Sequence, residues 1–207
     1  MFNFFEDTPG KQKMAPAVLA AALSACATET VLLNSERVEQ RFGNYGIDVL
    51  ASEAGLRRSS LYSVQHDRRI CRTYAVVRFT DEPDLSYGPE HAKVLAGNSL
   101  GEVFKAEGWS IHKQTLHIGS LAVDDNRSGV GKLMQLSDDR SLALHVYQLL
   151  LVRPEQVFEY ATIIEAHHPD YLLESDLLEN YRYGSSDALS GEDLADVATL
   201  IFNTTGV

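Results

Sequence analysis

The chain has little with which to staple or anchor itself. Its two cysteines, Cys26 and Cys71, are too few for a disulfide framework and lack metal-ligand spacing, which fits a reducing, cytoplasmic setting. No apolar run approaches the eighteen or so residues that a membrane-spanning helix needs. Basic residues are scarce at one end. Residues 1–153 carry 17 Lys+Arg against 18 Asp+Glu, whereas residues 154–207 carry Arg182 alone against 11 acidic side chains. Nearly all of the net charge of −11 therefore lies in the last quarter. Such a segment repels phosphate backbones, which argues against nucleic-acid binding through it. It reads either as a solvated helical face or as a docking surface for a basic protein partner.

What is present suits one globular unit. With 207 residues, 44% of them hydrophobic and 23% charged, the chain can bury one good core and is not of disordered composition. Neither an internal repeat nor a low-complexity linker interrupts it. The start offers two readings. Lys11 and Lys13 precede an apolar stretch from Met14 to Ala25, and Leu23-Ser24-Ala25-Cys26 fits a lipoprotein cleavage box with an anchor at Cys26. Glu6, Asp7 and Pro16 fit that signal poorly, and the same run reads as an Ala/Leu-rich first helix.

Periodicity then lays out the elements. Residues 15–42 read as helical, bent near Thr28–Thr30, with Val38 and Phe42 on one face. Gly43–Gly46 is a turn and Ile47 opens a strand. Residues 59–65 and 70–79 form a hairpin turned by His66–Arg69, its second arm rich in β-branched and aromatic residues. Pro89 and Gly97 bracket one short helix. Ser99 and Glu102 make a capping box for a second, which Gly108 closes. Residues 116–123, 133–136 and 141–152 read as strands. After Pro154 the pattern predicts helix: Val157, Tyr160, Ala161 and Ile164 fall on one helical face, and Ser190 with Asp193 caps a last helix. The expectation is an α+β fold with a mostly antiparallel sheet, helices closing a buried pocket, over residues 1–153, and an acidic helical extension, 154–207, packed on the same domain.

From about residue 20 to 152 the order and spacing of motifs resemble the chorismate lyase family, whose fold is shared with the UTRA-type effector-binding domains of bacterial transcription regulators. The first helix ends in an Arg-Phe pair, Arg41-Phe42. The hairpin keeps the family's spacing to an Arg-Thr pair, Arg72-Thr73. Gly97-Asn98-Ser99-Leu100-Gly101 is similar to the family's glycine turn into a helix, and a strand ends in Ile118-Gly119. The resemblance implies a six-stranded antiparallel sheet and an enclosed site that removes pyruvate from chorismate, leaving 4-hydroxybenzoate, with neither cofactor nor metal. It places Arg72 on the ligand carboxylate through a bidentate fork. Gly97 and Leu100 belong to the binding turn, where backbone N–H groups meet an anion.

The family's Glu general acid lies on the last long strand. The strand over residues 142–152 carries no carboxylate, and the aligned position falls on His145 or Val146. His145 is the candidate proton donor, since an imidazole titrates near neutrality, and Tyr147 shares its strand face as a substrate-binding candidate. Three readings stay open: a chorismate pyruvate-lyase, a non-catalytic binder or sensor of a small anionic carboxylate, and an acetyltransferase. The last rests on Asn126–Gly131, which resembles the acetyl-CoA loop of GNAT enzymes. Glu165, His167, His168 and Asp170 suggest a metal, but adjacent histidines diverge and a helix end before Pro169 explains them.

Overall fold

The computed structural model describes residues 32–53, 55–80, 84–123, 129–136, 140–154, 156–181 and 189–203. The first helix is seen only in its last part, α1 (Asn34–Phe42), which ends at Gly43 in the left-handed region, φ 77°. Residues 1–31, with the lipoprotein box at Cys26, lie outside the described residues, as do Asn126–Ser128 and Arg182.

Six strands form one antiparallel sheet: β1 (Gly46–Glu53), β2 (Leu56–Gln65), β3 (Arg68–Phe79), β4 (Ser110–Val123), β5 (Arg140–Arg153) and β6 (Gln156–His167). Their order across the sheet is β1-β2-β3-β6-β5-β4. The β2–β3 hairpin turns on two residues, His66 and Asp67, with φ of 49° and 60°. Two left-handed residues twist the turn as its strands twist, so β3 begins at Arg68.

The largest departure from the sequence reading is β6. Residues 156–167 are not a helix but the strand between β3 and β5, joined to β5 by a tight hairpin in which Arg153 pairs with Gln156. A strand covered on both faces loses its polar alternation, so its apolar residues match a helical period by accident. Val157, Thr162, Ile163 and Ile164 are β-branched, which favours the strand. The boundary at 153/154 falls inside this hairpin, and the helical part of the C-terminal segment begins only at α5. Residues 133–136 are likewise not a strand; they close a short helix, α4 (Gly129–Leu133).

Two helices cross from β3 to β4, α2 (Gly88–Leu95) and α3 (Leu100–Ala106), and α5 (Glu174–Asn180) and α6 (Gly191–Phe202) follow β6. Pro89 sits in the first turn of α2, and the Ser190/Asp193 capping box of α6 is formed. The Ser99/Glu102 box is not: the Ser99 side chain makes no cap bond, and the Glu102 carboxylate instead accepts from the Tyr45 hydroxyl.

The helices divide between the two faces. Behind the sheet, Tyr74, Val76, Leu144, Val146, Ile164 and Ala166 pack with Val130 of α4 and Val197 and Ile201 of α6. In front, Val77, Phe79, Leu149, Tyr160 and Ile163 pack with Tyr87, Val94, Phe104 and Trp109 around α2 and α3. At the other end of the front face, Val38 of α1, Ile118, Ala143, Tyr171, Leu177 and Tyr181 form a third cluster. A cleft lies between these two front clusters.

Candidate functional site

The floor of the cleft is the front register of the sheet, and its walls are the first residues of α1 and α3. The free space is about 670 Å³, open solvent at the mouth included. Most of the lining is aliphatic: Leu61, Ala75, Val77, Ile111, Leu149 and Ile163. Among the polar residues of the lining, the charged ones are Arg57 and the pair Lys113 and Glu165.

The first is Arg57 of β2, 2% exposed. Its Nε donates to Ser59 Oγ at 3.1 Å, and its Nη1 donates to the carbonyls of Val94 and Asn98 at 2.8 and 3.0 Å. Those carbonyls belong to the end of α2 and the turn before α3, so the guanidinium is braced against the wall formed by Ser99, Leu100 and Gly101. Its Nη2 is buried and has no hydrogen-bond partner among the described residues. Burial lowers its pKa, but guanidinium remains a cation at any physiological pH. A buried cation with a donor nitrogen left over is suited to an anion.

The second is an ion pair. Lys113 of β4 and Glu165 of β6 approach to 3.5 Å, with side chains 9% and 8% exposed. Glu165 Oε1 also accepts from Asn34 Nδ2 at 2.8 Å, and Asn34 is held in turn by the Tyr171 hydroxyl, which donates to its Oδ1 at 2.8 Å. The Lys113 ammonium lies 4.4 Å from the Tyr147 ring centre, a cation–π contact. Burial by itself would raise the Glu165 pKa; the Lys113 charge first, then His167, His145 and the Asn34 bond, outweigh it and hold the group at about 2. Burial likewise works against the Lys113 ammonium, yet Glu165 and Tyr147 carry its pKa well above the ordinary lysine value.

Of the residues singled out from sequence, Leu100 and Tyr147 line this cleft. Arg72, Gly97 and His145 do not. Arg72 is 1% exposed, donates from Nε to Ser63 Oγ at 2.8 Å and lies 3.9 Å from the Phe42 ring centre. It borders a separate hollow near His168 and Asp170, at the far end of β3. The ladder slips there, with Thr73 opposite Leu61 and Cys71 opposite Tyr62, so Arg72 has no partner of its own in β2. Gly97 takes φ 105° to turn the chain from α2 into α3.

His145 is fully buried, between the Tyr147 and Tyr181 rings at 4.6 and 4.3 Å, with Nε2 3.0 Å from Thr115 Oγ1. Burial and the nearby Lys113 charge push its pKa down to about 2. It is neutral at pH 7 and has no proton to give as an acid beyond its ordinary N–H.

The last long strand of the sheet is β6, and it carries Glu165 in Ile164-Glu165-Ala166, opposite His145 of β5 and Ala75 of β3. Arg57 and Lys113 are not among the residues that the sequence motifs single out. Each carried a signal in its alternation: Arg57-Ser59-Leu61 and Ile111-Lys113-Thr115 place a lone cation in the inward register of a strand. Glu165 had been weighed only as a metal ligand beside His167. Among the described residues, no group of three or more His, Cys, Asp or Glu is placed to hold a metal. The acetyl-CoA reading needed a long helix from Gly129 beside splayed parallel strands; α4 has five residues and every strand pairing is antiparallel.

A scan against family models gave no match, and searches of curated proteins and of solved structures gave no significant match either.

Proposed function

We propose that the front cleft binds a small organic carboxylate, with the carboxylate on Arg57 and the ring or chain of the ligand between the aliphatic strand residues. The observation that carries this reading is a buried cation, Arg57, among the residues that line the cleft, with an Nη2 that no described residue satisfies. A buried donor costs about 1–3 kcal/mol when left unmatched, so a ligand oxyanion at this point recovers energy that the empty protein forgoes. The aliphatic floor suits a flat, largely apolar body, and an aromatic acid of the size of 4-hydroxybenzoate fits both requirements.

A second reading, chorismate pyruvate-lyase, is favoured by the position of Glu165 on the last strand, where the resembled family keeps its acid. Cleavage of the enolpyruvyl ether requires a proton at its oxygen. Glu165, held at about 2 by Lys113, is a carboxylate at neutral pH and carries none. Binding without turnover therefore has the stronger support.

Thermal unfolding with added chorismate, 4-hydroxybenzoate and acetyl-CoA separates these readings, because a ligand that binds only the folded state raises the melting temperature. Stabilisation by 4-hydroxybenzoate with no pyruvate released from chorismate is the expected result. Pyruvate release would establish the lyase, and no response to either aromatic acid would overturn the proposal.

A further inference from the structure

The hollow at the far end of β3 shares no lining residue with the front cleft. Four stretches of chain meet there: Ile70 and Arg72 of β3, residues 134–136 just after α4, Arg140 at the start of β5, and residues 168–170 after β6. Its free space is about 470 Å³, open solvent included. Hydrogen bonds tie its walls to β3. The His168 N–H donates to the Arg72 carbonyl at 2.9 Å, and Gln135 Nε2 donates to the Arg69 carbonyl at 2.6 Å. Gln135 takes φ 54°, a left-handed conformation uncommon for a glutamine, with the Arg69 bond holding it in place.

Arg72 is a buried cation in this lining, fixed by its Nε bond to Ser63 and by the Phe42 ring beside it. Its Nη2 is buried with no hydrogen-bond partner, and no ion pair among the described residues includes it. Asp170 is the one carboxylate of the lining, and its side chain is 71% exposed. Arg140, itself exposed, brings a second guanidinium from β5. His168 brings no charge at neutral pH. Its Nδ1 accepts from the Asp170 N–H at 3.0 Å, and burial above all, with the Arg72 and Arg140 charges behind it, lowers its pKa. Two guanidiniums against one solvated carboxylate leave the hollow positive.

We infer that this hollow is a second anion site, which holds a phosphate group between Arg72 and Arg140 and is independent of the carboxylate site proposed at Arg57. A guanidinium buried without a counter-ion is costly, and an oxyanion at Nη2 offsets that cost. Guanidiniums on two different strands suit the several oxygens and double charge of a phosphate better than a planar, singly charged carboxylate. Free phosphate and the phosphate ester of a small metabolite present the same group.

The test is calorimetric titration with inorganic phosphate, glycerol 3-phosphate and acetate, at constant ionic strength and at pH 8, where phosphate is a dianion. Phosphate or its ester is expected to bind roughly tenfold or more tightly than acetate, the difference of one charge-assisted hydrogen bond; the tighter of the two names the source. Arg72→Met weakens that binding roughly ten- to hundredfold, and Arg57→Met leaves it unchanged. If Arg72→Met does not fold, Arg140→Glu carries the test, because reversing an exposed charge spares the core and is expected to weaken phosphate roughly fivefold or more.

No binding of either phosphate compound overturns the inference, as does equal binding of acetate. Phosphate affinity that Arg72→Met or Arg140→Glu leaves at the native value also overturns it. Affinity lost in Arg57→Met and kept in Arg72→Met would place the anion in the front cleft instead.

Discussion

The two faces of the sheet are built from the same strands and yet have opposite characters. Behind it, β3, β5 and β6 present Val76, Leu144, Val146, Ile164 and Ala166 to α4 and α6, in an aliphatic layer with Tyr74 at its edge. In front, the alternate residues of those strands include His145, Tyr147, Glu165 and His167, buried with Lys113 and Arg57. Buried charges contribute little to stability, and apolar residues of like volume usually serve as well or better. The back face buries one charged side chain, Arg58, which donates to the Tyr74 hydroxyl and to the Leu200 carbonyl of α6, while the front face gathers several. That difference, more than any one residue, directs attention to the front.

The largest effect that sharpens the comparison is on the back face. Ile164→Ala leaves a cavity under α6 and is expected to cost about 2–5 kcal/mol, read as a lower melting temperature or denaturant midpoint, with the ligand response of the front cleft intact. Loss of that response at a temperature where the variant is folded would mean that the faces are not independent.

A smaller effect comes from acid. Glu165 sits at about 2 in the fold against 4.5 when exposed, so its contribution is full above pH 4.5 and is lost as the pH falls toward 2. His167 at about 4 and His145 at about 2, against 6.5 when exposed, act in the same direction. Below pH 6.5 the unfolded chain takes up protons that the folded front face refuses. Melting temperature is therefore expected to be level from pH 8 to 7 and to fall from about 6.5 downward. A level profile to pH 4.5 would show that the front-face histidines are not held neutral.

Much of the fold could be read from the chain. The β2–β3 hairpin, the two short helices bracketed by Pro89, Gly97 and Gly108, and the capped last helix follow from local chemistry that tertiary packing left alone. What failed was β6. Its residues are apolar on both sides because the strand is central, and period-two alternation exists only where one face meets water. That single misreading also put Glu165 in a supposed helix, away from the strands whose residues line the cleft.

Arg72 and Arg57 show a second limit. Both are buried arginines on adjacent strands, each with an Nη2 lacking a hydrogen bond among the described residues. Motif spacing favoured Arg72. Only the slip in the ladder at Leu61/Tyr62 and the cross-over of α2 above β2 decide which arginine borders the front cleft, and neither is written in the local sequence.

That pair of arginines supplies the most direct measurement of the central claim: calorimetric titration of 4-hydroxybenzoate into the native protein, Arg57→Met and Arg72→Met. Removing a charge-assisted contact costs about 1.5–3 kcal/mol. Affinity in Arg57→Met is therefore expected to drop roughly ten- to hundredfold, while Arg72→Met stays within roughly twofold of the native value. The reverse pattern, with Arg72→Met losing the ligand and Arg57→Met keeping it, would place the carboxylate at the other end of β3 and contradict the account.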